Sequence, residues 1–445
     1  MTLHSKENNI YLYWIGNEYK LIKILRNLIY LHSTNGKGYN VNLITPKNIH
    51  EYIKDLPEYF YKLCYAHQAD YVRICVICDN GGIWLDSDVI ILDSLDYLFD
   101  LINNKNGFFI KENNSNICNG IFGSKPNTLL MKEIKNILIS RLEKDINIYW
   151  TEIGNALLTN LYNNKRELYN DYEFFDGLDN LYPINWNHCV NEFIIKPYDN
   201  YKNIVREFQP LIVLVNSVYK NLEDKTEKEI LTGKMPLNYF INKSFENMKH
   251  LIDLDFIEIG TSNFNTLIQN SNNEYGISVD GVDYYLKDLP DKPNVKKINV
   301  LISNINSFME IYYIPENIII EKNLESWFKG CNSINNYHPL HIKHNLQHLV
   351  IKEKVKVITT YELFYYNKVK KVNFLKIDAE GHDYIILESL FEYLKNLPII
   401  FYPNKILFES NENSNIHDID DIIDKYISIG YKLSSRGYDS IIELI

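Results

Sequence analysis

Residues 69–88 read Ala-Asp-Tyr-Val-Arg-Ile-Cys-Val-Ile-Cys-Asp-Asn-Gly-Gly-Ile-Trp-Leu-Asp-Ser-Asp, and no other stretch fixes so much local structure in so few residues. Asp70 and Arg73 stand three apart in a helical pattern and so share a face. Gly81 and Gly82 end that helix, because glycine takes the left-handed cap conformation at little cost. Ile83-Trp84-Leu85 then reads as a short buried strand. Asp86 and Asp88 follow at its end and point the same way, roughly 7 Å apart on an extended chain. Two convergent carboxylates suit a hard divalent cation and hydroxyl groups. An arginine beside them suits a phosphate or an oriented carboxylate.

The rest of the chain gives this segment two settings. A length of 445 residues with 46% apolar residues predicts two or three domains with ample core. A net charge of −11 argues against a nucleic-acid surface. Six cysteines in so long a chain are not a disulfide framework, so a reducing compartment, the cytoplasm, is expected. Met1–Asn9 holds no apolar run, so no secretory signal is expected, and no uninterrupted apolar stretch reaches the roughly 18 residues of a membrane span.

Two αβ patterns follow one another. The first has strands at 10–15, 39–44 and 107–111, a strand and turn at 119–126, and helices near 18–31 and 129–142. The second begins near 245, with strands at 255–259, 276–280, 297–303, 372–378 and 405–409, and a closing hairpin around Arg436-Gly437. This alternation predicts mostly parallel sheets with sites at their carboxyl ends. The seam falls between Pro236 and Leu254, and the domains are expected at 1–245 and 246–445.

In the first half, Ala69-Asp70-Tyr-x-Arg73 and Gly81-Gly-Ile-Trp-Leu-Asp86-x-Asp88-Val resemble the DxD sugar-binding glycosyltransferases of family 32, the capsular-polysaccharide and initiating-mannosyltransferase type. Tyr13-Trp14-Ile15-Gly16 is similar to that family's opening strand, and Asn119-Gly120 to its donor loop. The likeness runs over roughly the first 240 residues. It implies a GT-A-like domain that transfers sugar, with retention, from a nucleotide-sugar donor to a glycan or other hydroxyl acceptor, using Mn²⁺ or Mg²⁺. Asp88 is then the metal ligand, joined by Asn242 or Ser244 from Leu237–Ser244, the segment standing where the family often carries a Trp-x-Gly-Ser-Trp element. Asp86 holds ribose or sugar hydroxyls, Asp70 and Arg73 fix the sugar and its phosphate, and Trp14 flanks the base. The alternatives are a core role for Trp14 and an ordinary helical ion pair for Asp70–Arg73. Thr151-Glu-Ile-Gly-Asn155 fits the family's Thr-Gly-Pro turn only loosely.

In the second half, Phe256-Ile-Glu-Ile-Gly-Thr-Ser-Asn263 is a strand entering a tight turn, where Gly260 lets a ligand approach the backbone. Asp280 ends the next strand, where an acid accepts ribose hydroxyls. The Gly-x-Gly-x-x-Gly of a nicotinamide site is absent. Asn373-Phe-Leu-Lys-Ile-Asp-Ala-Glu-Gly-His-Asp383 resembles the Leu-Lys-Ile-Asp-x-Glu-Gly signature of FkbM-type methyltransferases, over about 250–445. That likeness implies a Rossmann-like class I domain using S-adenosylmethionine, with Glu258 and Gly260 at its methionine part, Asp280 at ribose, and Ser303 in the cofactor site. Asp378, Glu380 and His382 then face the methyl acceptor, since methylating a hydroxyl needs a base for the departing proton. Lys376 supports that carboxylate or is structural, and His382 alternatively only opens a helix.

Cys75-x-x-Cys78 lacks a second cysteine pair, so buried thiols are expected in place of zinc. His338, His341, His344 and His348 fall within eleven residues, a spacing open to metal binding but read here as a loop or lid. The expected protein is a bifunctional transferase. The alternatives are one active domain beside a degenerate glycan-binding module, or a phosphate-ester hydrolase at Asp86-Ser-Asp88.

Overall fold

In the computed structural model, the structure describes residues 8–112, 116–177, 184, 186–196, 210–262, 265–334, 336–395, 397–410 and 416–445. The chain divides into two compact units, Met1–His250 and Leu251–Ile445.

The first unit is built on strands β1 (Asn9–Tyr13), β2 (Asn40–Ile44), β3 (Gly82–Leu85), β4 (Val89–Ile91), β5 (Gly107–Glu112), β6 (Asn116–Ser124), β7 (Tyr172–Asp176) and β8 (Leu211–Val213). Six of them form one sheet in the order β2-β1-β3-β6-β5-β7, and β4 pairs with β8 in a separate antiparallel ribbon. The sheet is mixed but mostly parallel, as expected: three of its five pairings are parallel, and β6 alone runs against its neighbours β3 and β5. Three residues separate β5 from β6, too few for the crossover a parallel pair requires.

The helix Tyr65–Asn80 buries every residue from 67 to 78 except Ala69, so it is sealed on all sides and not along one stripe. Its apolar positions, among them Val72, Ile74, Cys75 and Ile77, join the core, and Cys75 and Cys78 are buried free thiols, as expected. Its polar positions therefore sit in the interior and require partners. Gly81, at φ 71°, ends it and returns the chain directly into β3.

The second unit comprises β9 (Ile252–Ile259), β10 (Gly276–Asp280), β11 (Val295–Asn299), β12 (Leu301–Ser303), β13 (Ser307–Tyr313), β14 (Ser333–Ile334), β15 (Ile351–Thr359), β16 (Val369–Ile377), β17 (Lys405–Glu409), β18 (Tyr431–Ser435) and β19 (Asp439–Leu444). The main sheet has the order β11-β10-β9-β16-β17-β19-β18, parallel from β11 to β17 and closed by the antiparallel β18–β19 hairpin. This is the expected Rossmann-like arrangement, with β9 and β16 side by side at its centre.

The strand expected at 297–303 is two strands. β11 belongs to the main sheet, while β12 joins a second sheet, β12-β15-β13-β14. The step is pinned by Asn299, whose Nδ2 donates to the carbonyls of Asp280 (3.1 Å) and Gly281 (3.0 Å). Among the described residues no helix is long and apolar enough to cross a membrane.

Candidate active sites

In the first unit, the helix Tyr65–Asn80 and the carboxyl end of β3 converge on one acidic cluster. Arg73 is its hub. Its guanidinium lies 3.6 Å from Asp70 and 3.2 Å from Asp86, donates to the carbonyls of Asn119 (2.7 Å) and Ala69 (3.3 Å), and covers the Trp84 ring at 5.3 Å. Only 8% of its side chain is exposed. It thus holds the Asp70 and Asp86 carboxylates. Asp70 also accepts from Asn119 Nδ2 at 2.7 Å, and Asp86 accepts from Trp84 Nε1 at 2.8 Å. Losing one partner of a buried charge network costs about 3–5 kcal/mol, because the remaining charges stay buried and unpaired. Arg73→Leu is expected to lower stability by that amount in urea denaturation.

Asp88 differs from its neighbours. Among the described residues its carboxylate enters no ion pair. Burial pushes its carboxyl up to about 8, and the adjacent Asp86 carboxylate adds to the rise against the pull of Arg73. Burial raises Asp86 and Asp70 as well, although Asp86 keeps a third of its side chain open to water. Two carboxylates held together with one cationic partner leave a local negative excess, the setting in which a divalent cation binds. No group of three or more His, Cys, Asp or Glu side chains in metal-binding arrangement occurs among the described residues, so a cation at Asp88 would need further ligands from its substrate.

Beside Asp88 lies an aromatic group. Trp14 packs edge-on against Tyr19 (6.4 Å) and Tyr219 (6.3 Å), and the two tyrosines are 5.2 Å apart. The Trp14 indole N–H is buried with no hydrogen-bond partner, an arrangement that costs free energy unless a ligand accepts it. The Tyr219 phenol is raised by burial and by the nearby Asp88 and Asp86 charges. Ser87 Oγ meets the Tyr13 carbonyl at 3.4 Å, tying the acidic turn to the strand that delivers Trp14.

Asn242 and Ser244 do not join this cluster. Asn242 Nδ2 donates to the Leu231 carbonyl at 3.1 Å. Ser244 is fully buried; its hydroxyl donates to the Ile91 carbonyl and lies 3.1 Å from His32 Nε2. Both polar side chains fasten the helix Pro236–Glu246. Two residues escaped the sequence reading. Tyr219 sits in a segment without a motif. Gly154 approaches so closely that a Cβ there would lie 2.6 Å from Asn119 Nδ2 and 3.1 Å from Asp70, and only its place in the Thr151–Asn155 turn hinted at it.

In the second unit, β9, β10 and β16 end around two adjoining cavities that share Gly260, Asp280, Asn332, Asp378 and Glu380. Val300, Leu301 and Ile302 make one side apolar, while Ser262, Asn265 and Lys376 make the other polar. Gly260, at φ 78°, passes so near the next loop that a Cβ would lie 1.8 Å from the Asp378 carbonyl oxygen. Asp280 accepts from the backbone N–H of Val282 (2.7 Å) and Ser262 (3.0 Å), and burial pushes its carboxyl up to about 6 despite them. Asn263, at the end of the glycine-turn motif, lies outside the described residues.

Glu258 does not line either cavity. It is fully buried and accepts from Lys376 Nζ (2.9 Å), the Leu267 N–H (2.8 Å) and Thr261 Oγ1 (3.3 Å). These contacts brace the turn that follows β9. Lys376 also reaches Asp378 at 3.5 Å, so it supports both carboxylates. Ser303 likewise lies outside the cavity lining; its hydroxyl is 3.0 Å from His382 Nε2, and both side chains are removed from direct contact with the cavities. Asp378 and Glu380 do line them. The turn that carries these two is held by Asp383, which accepts from Ala379 N (3.1 Å) and Glu409 N (3.0 Å), and by Glu409, which accepts from Gly381 N (3.2 Å).

These are two α/β units, each with a polar site at the carboxyl ends of its sheet strands, the architecture of a two-domain enzyme. Residues 2–209 match the family model described as capsular polysaccharide synthesis protein, and residues 268–439 match the methyltransferase FkbM domain. The chain therefore joins an amino-terminal region that matches the capsular polysaccharide synthesis family to a carboxyl-terminal region that matches the FkbM methyltransferase domain. Solved structures similar to it include the PaToxG glycosyltransferase (18% identity, 36% of this chain and 69% of that one, TM-score 0.26). A second is the apo form of the glycosyltransferase GlyE of Streptococcus pneumoniae TIGR4 (13%, 66% and 81%, 0.30). A third is a glycosyltransferase involved in glycosylation of the major capsid of PBCV-1 (15%, 46% and 93%, 0.29). No curated protein matches the sequence.

Proposed function

We propose that the first unit transfers a sugar, with retention, from a nucleotide-sugar to a glycan hydroxyl with the aid of Mn²⁺ or Mg²⁺, and that the second methylates a sugar hydroxyl from S-adenosylmethionine. For the first unit the observation that carries the reading is Asp88, which among the described residues enters no ion pair and which stands beside Asp86 and near Tyr219, the aromatic neighbour of Trp14. Asp88 holds the cation. When bound, that ion neutralises charge building on the departing diphosphate. Asp86 and Asp70 accept hydroxyls of the donor, with Arg73 fixing both carboxylates from behind. Trp14, with Tyr19 and Tyr219, receives the base.

For the second unit the supporting observation is the shared lining of Gly260, Asp280 and Glu380. Asp280 accepts ribose hydroxyls, Leu301 and Ile302 flank the adenine, and Asp378 and Glu380 face the acceptor. S-adenosylmethionine supplies the electrophilic methyl group. Two active sites in one chain raise the local concentration of a shared glycan.

A thermal-shift panel of nucleotide-sugars with and without Mn²⁺, extended to S-adenosylhomocysteine, tests both halves, since a ligand specific for the folded state stabilises it by mass action. Metal-dependent stabilisation by one sugar nucleotide, together with stabilisation by S-adenosylhomocysteine, is expected. No response to millimolar S-adenosylhomocysteine would instead favour a degenerate binding module in the second half, and free sugar released without acceptor product would favour a hydrolase in the first.

The Asp280 carboxyl sets a pH dependence. Because its native pKa is raised, the folded protein binds its proton more tightly than the unfolded chain, so stability without ligand falls as pH rises from about 4 to about 6. The ionised form is the one that accepts ribose hydroxyls. Affinity for S-adenosylhomocysteine, followed by calorimetry from pH 5 to 8, is expected to be flat above about 6 and to fall by up to about tenfold per pH unit below it. Asp280→Asn removes that dependence.

A further inference from the structure

We propose that His338 is a positioning residue of the methyltransferase site, which aims the Glu380 carboxylate at the acceptor hydroxyl; this rests on the reading of Glu380 as the base. His338 is 1% exposed and its Nε2 lies 3.1 Å from Glu380 Oε2. Its other ring nitrogen has a fixed role: the Leu340 backbone N–H donates to Nδ1 at 3.2 Å. A nitrogen that accepts carries no proton in a neutral imidazole, so the proton is on Nε2 and is given to the carboxylate.

Glu380 needs such a hold. It adopts φ 50°, the left-handed region that side chains other than glycine, asparagine and aspartate seldom enter, directly before Gly381 at φ 89°. The turn projects Glu380 into both cavities, where a quarter of its side chain remains exposed. Among the described residues His338 is the only titratable side chain that hydrogen-bonds to it.

The imidazole is itself fixed from behind. His341 is fully buried, packs against His338 at 5.6 Å and against Phe328 at 6.5 Å, and neither of its ring nitrogens has a partner. It therefore fills space as an aromatic ring, and His338 cannot turn away without opening a void. The four-histidine segment, read from sequence as a loop or lid, thus contains a short helix, Pro339–Lys343, capped by His338.

The step it serves is balanced. The acceptor oxygen bonds to the methyl carbon as the carbon–sulfur bond breaks. The bonding pair passes to sulfur, which becomes a neutral thioether, and the hydroxyl proton passes to Glu380. His338 keeps the receiving oxygen on the acceptor side and exchanges no proton with the substrate.

Two substitutions separate capping from positioning, because the amide of asparagine reproduces the Nδ1 position and that of glutamine the Nε2 position. Methyl transfer from S-[methyl-³H]adenosylmethionine to a panel of p-nitrophenyl glycosides is measured with the full chain. His338→Asn retains the acceptor for Leu340 but not the donor to Glu380; kcat is expected to fall about 100-fold, the cost of a displaced catalytic group, with S-adenosylhomocysteine affinity unchanged. His338→Gln retains the donor and is expected to keep kcat within about threefold, even if it melts earlier. His348→Gln, in the exposed part of the segment, serves as the unaffected control.

The reverse ranking, or equal losses in both variants, would overturn the proposal. Imidazole ¹⁵N resonances of the wild type, assigned by their loss in His338→Gln, give an answer independent of turnover. A ring protonated on Nε2 alone, perturbed by Glu380→Gln, is the expected result, and one protonated on Nδ1 contradicts it. A silent glycoside panel with the expected ring tautomer would count against the acceptor class, not against the His338–Glu380 contact.

Discussion

Asp88→Asn is expected to lower sugar transfer by about 100- to 1,000-fold, the range for losing one preorganised charge-stabilising group, while leaving the first unit as stable as before or more so. The second half of that expectation distinguishes a ligand-holding acid from a structural one. Asp70 and Asp86 are tied to Arg73 and to hydrogen-bond donors, so replacing either removes native contacts. Among the described residues Asp88 enters no ion pair, and its carboxyl is raised to about 8 by burial and by Asp86. Such a group is costly to ionise in the empty protein, and a neutral amide of the same shape relieves that cost. Chemical denaturation and product formation measured on the same preparation check the two halves together: lost activity with lost stability would assign Asp88 to the scaffold.

Gly260→Ala is expected to remove detectable binding of S-adenosylhomocysteine and to destabilise the second unit by about 2–5 kcal/mol, from the left-handed backbone (about 1–2) and the overlap with the neighbouring loop (about 1–3). A Cβ at this position would lie 1.8 Å from the Asp378 carbonyl oxygen, and that atom is backbone, not a side chain that could swing aside. Relief requires the β9 turn and the β16 turn to separate. The first also carries Ser262, which donates to Asp280, and the second carries Glu380, so one methyl group disturbs both sides of the cavity. Calorimetry with S-adenosylhomocysteine and urea denaturation measure the two effects; an alanine variant that still binds within tenfold would show the loop to be more pliant than this packing allows.

How much of this could be read from the chain alone depended on distance along it. The helix, its glycine stop, β3 and the two aspartates lie within twenty residues, so propensity and spacing placed them together. The parallel strands β9, β10, β16 and β17 were likewise visible as apolar runs. The contacts of Arg73 are not legible in the same way, since one is the Asn119 carbonyl, 46 residues away, a main-chain atom that carries no sequence signal. Nor is the contact of Glu258 with Lys376, which is 118 residues distant.

Asn242 and Ser244 are credible ligands from residue type alone, and the Leu231 and Ile91 carbonyls that they meet carry no sequence signal. The break between β11 and β12 has no turn residue to announce it; it exists because two sheets compete for neighbouring segments. β15 did carry a signal, since Val355 and Val357 are buried between exposed lysines, but a strand so rich in charge reads as polar loop until its partner β13 is known. The role of His338 needed a tautomer, which only hydrogen-bond geometry supplies.

The account depends most on a cation drawn to Asp88 by a nucleoside diphosphate. Titration of Mn²⁺ into the full chain, followed by electron paramagnetic resonance with uridine or guanosine diphosphate present, reads this directly. The account predicts one bound Mn²⁺ in the wild type with one of the two nucleotides and none beyond background in Asp88→Asn. Equal Mn²⁺ uptake by both proteins would contradict it.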